Sequence, residues 1–213
     1  EPYYSYYGYE YAGVDPNTGR ESYYLNNGTS NARNTTVNPN EAKKVIIGNH
    51  ETKIEGGFSN NITWKFIDFG LNFTFSLGGK AFDAATWQHN NGNYTFGGQL
   101  PTYYDINKMW TGPGDTNASQ PVFQYGNSSE VSSRWLMPTD YLRLKSLTLG
   151  FTAPSQWVTR IGLSKARAFF SASNLLTWKS KDLYVDPEMR VDGVCTFQTP
   201  ALRTFTFGIE LGF

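Results

Sequence analysis

No stretch of this 213-residue sequence approaches the roughly 20 consecutive apolar residues that a membrane-spanning helix requires, and its mean hydropathy is −0.48. Helical spans are thereby excluded, while strands stay open: a strand crosses a bilayer in about 10 residues and turns only alternate side chains to lipid. The one cysteine, Cys195, excludes an internal disulfide and reads as a packing or surface thiol. The two histidines, His50 and His89, show no metal-ligand spacing. No metal and no other cofactor is therefore expected. Charge of one sign is also lacking, 18 basic residues standing against 18 acidic, which removes nucleic acid and a polybasic membrane anchor from consideration. There is no initiating methionine and no leader segment. The chain opens inside what reads as a strand, Tyr3 to Tyr11, so an upstream part of the protein is expected.

Aromatic residues, by contrast, make up 16% of the chain, with 14 Tyr, 15 Phe and 6 Trp. That usage suits strands, interfacial girdles and sugar-stacking loops more than helices. The most informative arrangement is the final segment, Arg203 to Phe213. Phe205, Phe207, Ile209, Leu211 and Phe213 share one face, and Thr204, Thr206, Gly208, Glu210 and Gly212 the other, because strand side chains alternate. A last strand that is apolar outward, polar inward and ends on an aromatic residue is the pattern of an outer-membrane barrel.

Six strand candidates span 3–12, 53–64, 67–80, 140–153, 165–177 and 203–213. The connections between them alternate strictly in length: long (13–52), tight (65–66), very long (81–139), short (154–164) and long (178–202). Transmembrane barrels carry short turns on one rim and long loops on the other, so an antiparallel all-β barrel segment with long extracellular loops and a periplasmic C-terminus is expected. The clearest strand is Ile67–Leu77, where Ile67, Phe69, Leu71, Phe73, Phe75 and Leu77 oppose Asp68, Gly70, Asn72, Thr74 and Ser76. Its hairpin partner puts Ile54, Phe58, Ile62 and Trp64 on one face. In 140–153, Arg143 and Lys145 fall in phase with Leu147, Leu149 and Phe151, which requires either a position above the bilayer or a bulge. Consecutive Phe169 and Phe170 make 165–177 the weakest pattern. Tyr3, Tyr7, Tyr9 and Tyr11 read as an outer aromatic girdle, and Trp64 and Trp157 as the periplasmic rim. Six strands cannot close a barrel, since the smallest have about eight, so further strands are expected from outside this chain.

The run Pro138-Thr-Asp-Tyr141-Leu142-Arg143-Leu144-Lys145-Ser-Leu147-Thr148-Leu149-Gly150-Phe151-Thr-Ala-Pro154 resembles the YLRLKNLTLGYTLP segment of SusC/RagA-type TonB-dependent outer-membrane transporters of Bacteroidetes. In family order stand also Ala12 to Gly19, Gly56 to Asn60, Met109 to Asp115, Ser173 to Thr177, Asp186-Pro187-Glu188, Pro200 with Arg203-Thr204, and Phe207-Gly208 before Phe213. Departures are Ser146, Phe151 and Thr199. The resemblance implies that residues 1–213 form the C-terminal part of a barrel of roughly 22 strands, with the plug and earlier strands not in this chain. It further implies a nutrient importer that takes up glycans or peptides with a SusD-like surface lipoprotein. Energy would come from TonB through the absent N-terminal part. Phe205, Phe207, Ile209, Leu211 and Phe213 would then form the barrel-assembly signal.

Other features have competing readings. Trp87, Tyr94, Tyr103, Tyr104, Trp110 and Trp135, in or near the longest loop, are candidates for contact with cargo or partner, because aromatic faces stack on sugar rings and anchor interfaces; each also serves to pack a long segment against itself. Seven Asn-x-Ser/Thr sequons reflect Asn/Thr richness, since Asn61 and Asn72 lie within strands. Asp15 to Gly19 lacks the full set of calcium-loop ligands and reads as a turn. Asp105, Asp115, Asp186 and Glu188 show no spacing that suggests a glycosidase pair. The rival from another class is a secreted or surface β-sandwich carbohydrate-binding module, which would favour turn signals every 8 to 12 residues or so.

Overall fold

A computed structural model describes residues 3–90, 105–122, 129–183, 185–188, 193–196 and 199–213. Among these residues the strands are β1 (Ser5–Gly8), β2 (Tyr11–Val14), β3 (Glu21–Tyr24), β4 (Thr35–Thr36), β5 (Val45–Asn49), β6 (Ile54–Trp64), β7 (Ile67–Leu77), β8 (Lys80–Asp83), β9 (Leu136–Pro138), β10 (Tyr141–Thr152), β11 (Lys165–Lys179), β12 (Val194–Cys195) and β13 (Thr204–Gly212). Two short helices, α1 (Ala84–Asn90) and α2 (Ser155–Val158), accompany them. The chain divides into two compact units. One comprises Glu1–Glu51, Lys80–Met137 and Met189–Gln198; the other comprises Thr52–Gly79, Pro138–Glu188 and Thr199–Phe213.

The second unit is built on one antiparallel sheet in the order β13-β11-β10-β7-β6. The four connections from β6 onward alternate as expected. The β6–β7 turn and residues 153–164 leave the sheet at one edge, while the chain departs for 78–140 and 180–203 at the other. Thr152 N–H donates to Phe66 O (2.8 Å), which brings the two short connections together. In the tight turn Lys65 takes φ 54°, at a position where such turns prefer glycine.

Register assigns the faces. On one face lie Ile54, Phe58, Ile62 and Trp64 of β6, the six apolar residues of β7, Leu147, Leu149 and Phe151 of β10, Ala168, Phe170 and Ala172 of β11, and Phe205, Phe207, Ile209 and Leu211 of β13. The phase conflict in β10 is resolved by a bulge at Lys145. The pairing steps from Leu144↔Phe73 to Ser146↔Asn72, so Leu142 and Leu144 above the bulge join the apolar face and Arg143 points with Thr74 to the polar one. Phe169 and Phe170 divide between faces: Phe170 packs on Phe205 and Phe207, with centroids at 6.2 and 4.9 Å, while Phe169 lies over Gly208. Phe58 stacks on Phe73 at 4.6 Å and 15°, a pair worth about 0.5–1.5 kcal/mol beyond its area.

The first expected strand, 3–12, is not part of this sheet. It breaks into β1, paired with β5, and β2, paired with β3, in the first unit. The reason is local. Tyr3, Tyr4, Tyr6 and Tyr7 carry no period of two, Tyr6 Oη donates to Gly193 O (2.9 Å), Tyr9 N–H donates to Val131 O (3.0 Å), and a Cβ on Gly8 would meet Val131 O at 2.6 Å. These contacts tie the segment into a loop assembly, so its tyrosines do not form a girdle on the five-stranded sheet.

The first unit holds three small sheets, β1-β5, β2-β3-β4 and β12-β8-β9, with β12 parallel to β8. Its core is Phe82, Ala84 and Trp135, with Tyr6, Trp87, Val131, Leu136 and Val194 packed around them. Cys195 is a buried packing thiol. Beside the core, the buried Glu21 carboxylate accepts from Ser129 Oγ (2.8 Å), Tyr23 Oη (2.7 Å) and Arg134 Nη1. Burial, then the Glu21 charge, pushes the Tyr23 phenol pKa up. The long connections thus carry a core of their own, which their length demands.

Candidate functional site

The five-stranded sheet offers two chemically opposed faces. On the apolar one, among the described residues, nothing covers Phe205 (60% exposed), Phe207 (82%), Ile209 (78%), Leu211 (50%) or Phe213 (94%). Ile54, Phe58, Ile62, Trp64, Leu149, Phe151, Leu176 and Trp178 are likewise exposed. A groove of about 690 Å³ runs across this face between Ile67, Leu149, Phe151, Phe170, Phe207 and Ile209. Contiguous exposure on this scale marks an apolar surrounding or an interface. Trp64 and Trp157, 66% and 60% exposed, both sit at the short-connection edge, as expected of rim residues.

On the polar face, the charges in the band next to the short-connection edge are matched in pairs. Arg167 Nη2 reaches Asp68 Oδ2 (2.6 Å) across the whole width of β10, and it passes over Gly150, where a Cβ would run into the Asp68 carboxylate and stand 2.6 Å from Arg167 Nη2. Lys165 Nζ pairs with Glu210 (2.9 Å) in the same band. Between this band and the long-connection edge the wall is Ser59, Asn61, Asn72, Thr148, Ser171 and Thr206, hydrogen-bonding groups without charge.

A second charged group lies toward the long-connection edge. Arg143, 2% exposed, donates through Nη2 to Asp186 Oδ1 (2.6 Å), through Nη1 to Glu188 Oε2 (2.8 Å) and through Nε to Thr177 Oγ1 (3.1 Å). Lys145 Nζ holds both Glu188 oxygens at 2.8 and 2.6 Å. Asp186 also accepts from the Glu188 and Ala201 amides (2.9 and 3.0 Å). Burial works to raise the Asp186 pKa, but these amide bonds and Arg143 outweigh it and hold the carboxyl below its ordinary value. Two of the acids weighed as a glycosidase pair, Asp186 and Glu188, are therefore spent on Arg143 and Lys145. A buried guanidinium must find partners, and the Arg143/Lys145 phase conflict in the sequence signals this cluster; the partner acids, over 40 residues away, are not evident from it.

The aromatic candidates fall in the first unit or outside the described residues. Trp135 is a core side chain, 5% exposed, with its Nε1 donating to Ser129 Oγ (3.0 Å) and Arg134 over its ring. Trp87 is half-buried against Phe82 and donates to Ser129 O (3.0 Å). Trp110 closes on the turn at Asp15: its Nε1 donates to Pro16 O (2.8 Å) and its ring lies 2.5 Å from where a Gly19 Cβ would be. That turn is an Asx-type turn, with Asp15 Oδ1 accepting from the Asn17 and Thr18 amides. Tyr94, Tyr103 and Tyr104 lie outside the described residues. Among those described, no group of His, Cys, Asp and Glu is placed to hold a metal ion.

No protein-family model matches the chain. It is 28% identical over 239 aligned positions to TonB-dependent receptor P3 of Formosa agariphila, covering 98% of this chain and 22% of the receptor. TonB-dependent receptor P26 of the same organism is 22% identical over 79% of the chain and 18% of its own length. Among solved structures, the RagAB peptide transporter superposes with a TM-score of 0.79 at 26% identity, covering 98% of this chain and 23% of that one. The RagAB peptide importer in its open-open state gives 0.75 at 25%. The chain spans about a fifth of the length of these relatives. Over essentially its whole length it is similar to TonB-dependent receptors, consistent with a fragment of the SusC/RagA type, and these relatives are receptors and transporters.

Proposed function

We propose that this chain forms C-terminal strands of an outer-membrane, TonB-dependent nutrient importer of the SusC/RagA type, within a barrel of roughly 22 strands. The observation that carries this reading is the uncovered apolar face backed by a polar one, with short connections on one edge and long ones on the other. In lipid that geometry is satisfied: the apolar face meets acyl chains, the polar face lines the lumen, and β6 and β13, which have no outer neighbour among the described residues, pair with strands from the rest of the protein. The long connections are extracellular and the C-terminus periplasmic. The importer works with a SusD-like surface lipoprotein and with TonB, and it takes up oligosaccharides or peptides; the RagAB likeness supports both the two-component arrangement and transport without covalent chemistry. Residues Trp87, Trp110 and the segment bearing Tyr94, Tyr103 and Tyr104 are the loop positions we assign to cargo or partner contact. Phe205, Phe207, Ile209, Leu211 and Phe213 form the assembly signal.

The test is to extract the intact protein from outer membranes in mild detergent, compare its gel mobility unheated and heated, and identify co-purifying chains by mass spectrometry. A heat-modifiable species accompanied by a lipoprotein supports the reading. A water-soluble monomer whose mobility ignores heating replaces it with the β-sandwich carbohydrate-binding module.

A further inference from the structure

We propose that Phe169, with Asn61, Thr148, Ser171 and Thr206 beside it, forms a binding site for a neutral sugar unit on the polar face of the five-stranded sheet. Assigning that unit to an imported oligosaccharide rests on the importer reading above. Register puts the polar side chains in one line across the strands: Asn61 faces Gly70, Gly70 faces Thr148, Thr148 faces Ser171 and Ser171 faces Thr206. With strands about 4.8 Å apart, the line runs about 19 Å across the sheet. Gly70 leaves a gap in it. A Cβ there would stand 2.5 Å from Thr148 Oγ1 and 2.8 Å from Asn61 Oδ1, so the hydroxyl and the amide lean over the glycine from opposite sides. Asn61, Thr148 and Thr206 are exposed and Ser171 is half-buried. Among the described residues, none of these side chains has a hydrogen-bond partner.

Phe169 supplies the apolar surface that this line lacks. It precedes Ser171 by two residues on β11, points to the same face and stands between Gly150 and Gly208 in its own cross-strand line. A Cβ on Gly208 would run into the outer carbons of the ring, which therefore rests on bare backbone there, and the residue is 37% exposed. Such a ring offers its apolar surface to the C–H groups of a sugar, while the hydroxyls of Thr148, Ser171 and Thr206, about 7 Å along the strands, meet the sugar's hydroxyl rim. Hydroxyls and amides both donate and accept, as sugar hydroxyls do. Charge contributes nothing: Arg167 is held by Asp68 at 2.6 Å and Lys165 by Glu210 at 2.9 Å. A peptide fits this wall less well. Its alternating backbone donors and acceptors are met along a free strand edge, and in the barrel the edges of β6 and β13 are taken by neighbouring strands.

Calorimetric titration of the full-length protein in mild detergent tests the site, with neutral hexasaccharides of glucose, galactose, mannose and xylose in α and β linkage, and end-blocked uncharged hexapeptides, as probes. At least one hexasaccharide is expected to bind. Phe169→Ala should weaken that binding about 2- to 10-fold, the range for one aromatic contact. Thr148→Val, which keeps the shape and removes the hydroxyl, should weaken it about 2- to 10-fold as well, the range for one hydrogen bond. Binding by no hexasaccharide, binding that neither variant alters, or variant-sensitive binding of the hexapeptides alone overturns the site. A lowered urea midpoint in both variants with unaltered sugar affinity does so too, and assigns the line to packing against another part of the protein. Membrane fractionation and gel mobility of the same samples keep the two readings apart. A heat-modifiable outer-membrane protein that binds no sugar loses the site and keeps the importer, whereas a water-soluble protein whose sugar affinity falls with Phe169→Ala keeps the site and loses the importer.

Discussion

Replacing Phe73 separates lipid from water as the surroundings of the apolar face. Phe73 lies near the middle of β7, opposite Leu144 on one side and Phe58 on the other, and stacks on Phe58 at 4.6 Å. Phe73→Ala removes that stack, about 0.5–1.5 kcal/mol, together with part of the ring's apolar contact. Phe73→Arg removes the same contacts and adds a charge, which costs about 2–4 kcal/mol on the lipid face at the bilayer midplane. The difference between the two variants isolates the solvent. In lipid it is about 2–4 kcal/mol, or roughly 30- to 900-fold in the unfolding equilibrium. In water an exposed Arg and an exposed Ala differ by no more than about 0.5 kcal/mol. The neighbouring Asn72→Arg, on the polar face, supplies the control and should cost no more than its hydrogen bond from Ser59, about 0.5–1.5 kcal/mol. Urea titrations of the full-length protein folded into phospholipid vesicles, followed by tryptophan fluorescence and by unheated gel mobility, give all three values. Equal midpoints for Phe73→Arg and Phe73→Ala, or a costlier Asn72→Arg, would refute the placement of this face in lipid.

Gly150→Val places a side chain where Arg167 crosses to Asp68; the expected loss is about 0.2–1 kcal/mol for the pair plus about 1–3 for repacking, read from the urea midpoint, and an unchanged midpoint would mean that the pair does not cross there. Gly19→Ala meets both φ 67° and the Trp110 ring at 2.5 Å, so the first unit should lose more than about 1 kcal/mol, seen as faster limited proteolysis within residues 13–52. Because the Asp186 pKa is lowered in the folded protein, its contribution is complete above the unfolded value of about 3.9 and is lost as pH falls through the lower folded value. Hydrogen exchange at the Ala201 amide should therefore stay slow from neutral pH down to about 4 and lose protection only below it, whereas loss between pH 7 and 5 would point to a different titrating group. Deleting Phe213 should lower the outer-membrane level of the protein, measured by immunoblot of fractionated cells, and normal levels would remove the terminal residue from the assembly signal.

The alternation of β6, β7 and β13, and with it the opposition of an apolar and a polar face, was determined by the sequence alone, because side chains on an extended backbone alternate whatever their neighbours are. The antiparallel order followed from connection lengths: a two-residue turn after Trp64 leaves no other choice, and the short connection at 153–164 does nearly the same for β10 and β11. Periodicity had no hold on the places where one residue was inserted or two unlike faces shared a dipeptide. The bulge at Lys145, the split of Phe169 and Phe170, and the breaking of 3–12 into β1 and β2 were each decided by pairing with residues distant in the chain. The same holds for the charged groups. Arg143 and Lys145 announce that partners are needed, but Asp186 and Glu188 reach them only through the path of the connection after β11, and Asp68 reaches Arg167 only because Gly150 leaves the space between them open. Trp135 and Trp110 show the limit most plainly: an aromatic ring stacks on a ligand or fills a core by the same physics, and which of the two it does depends on what the tertiary structure brings over its face.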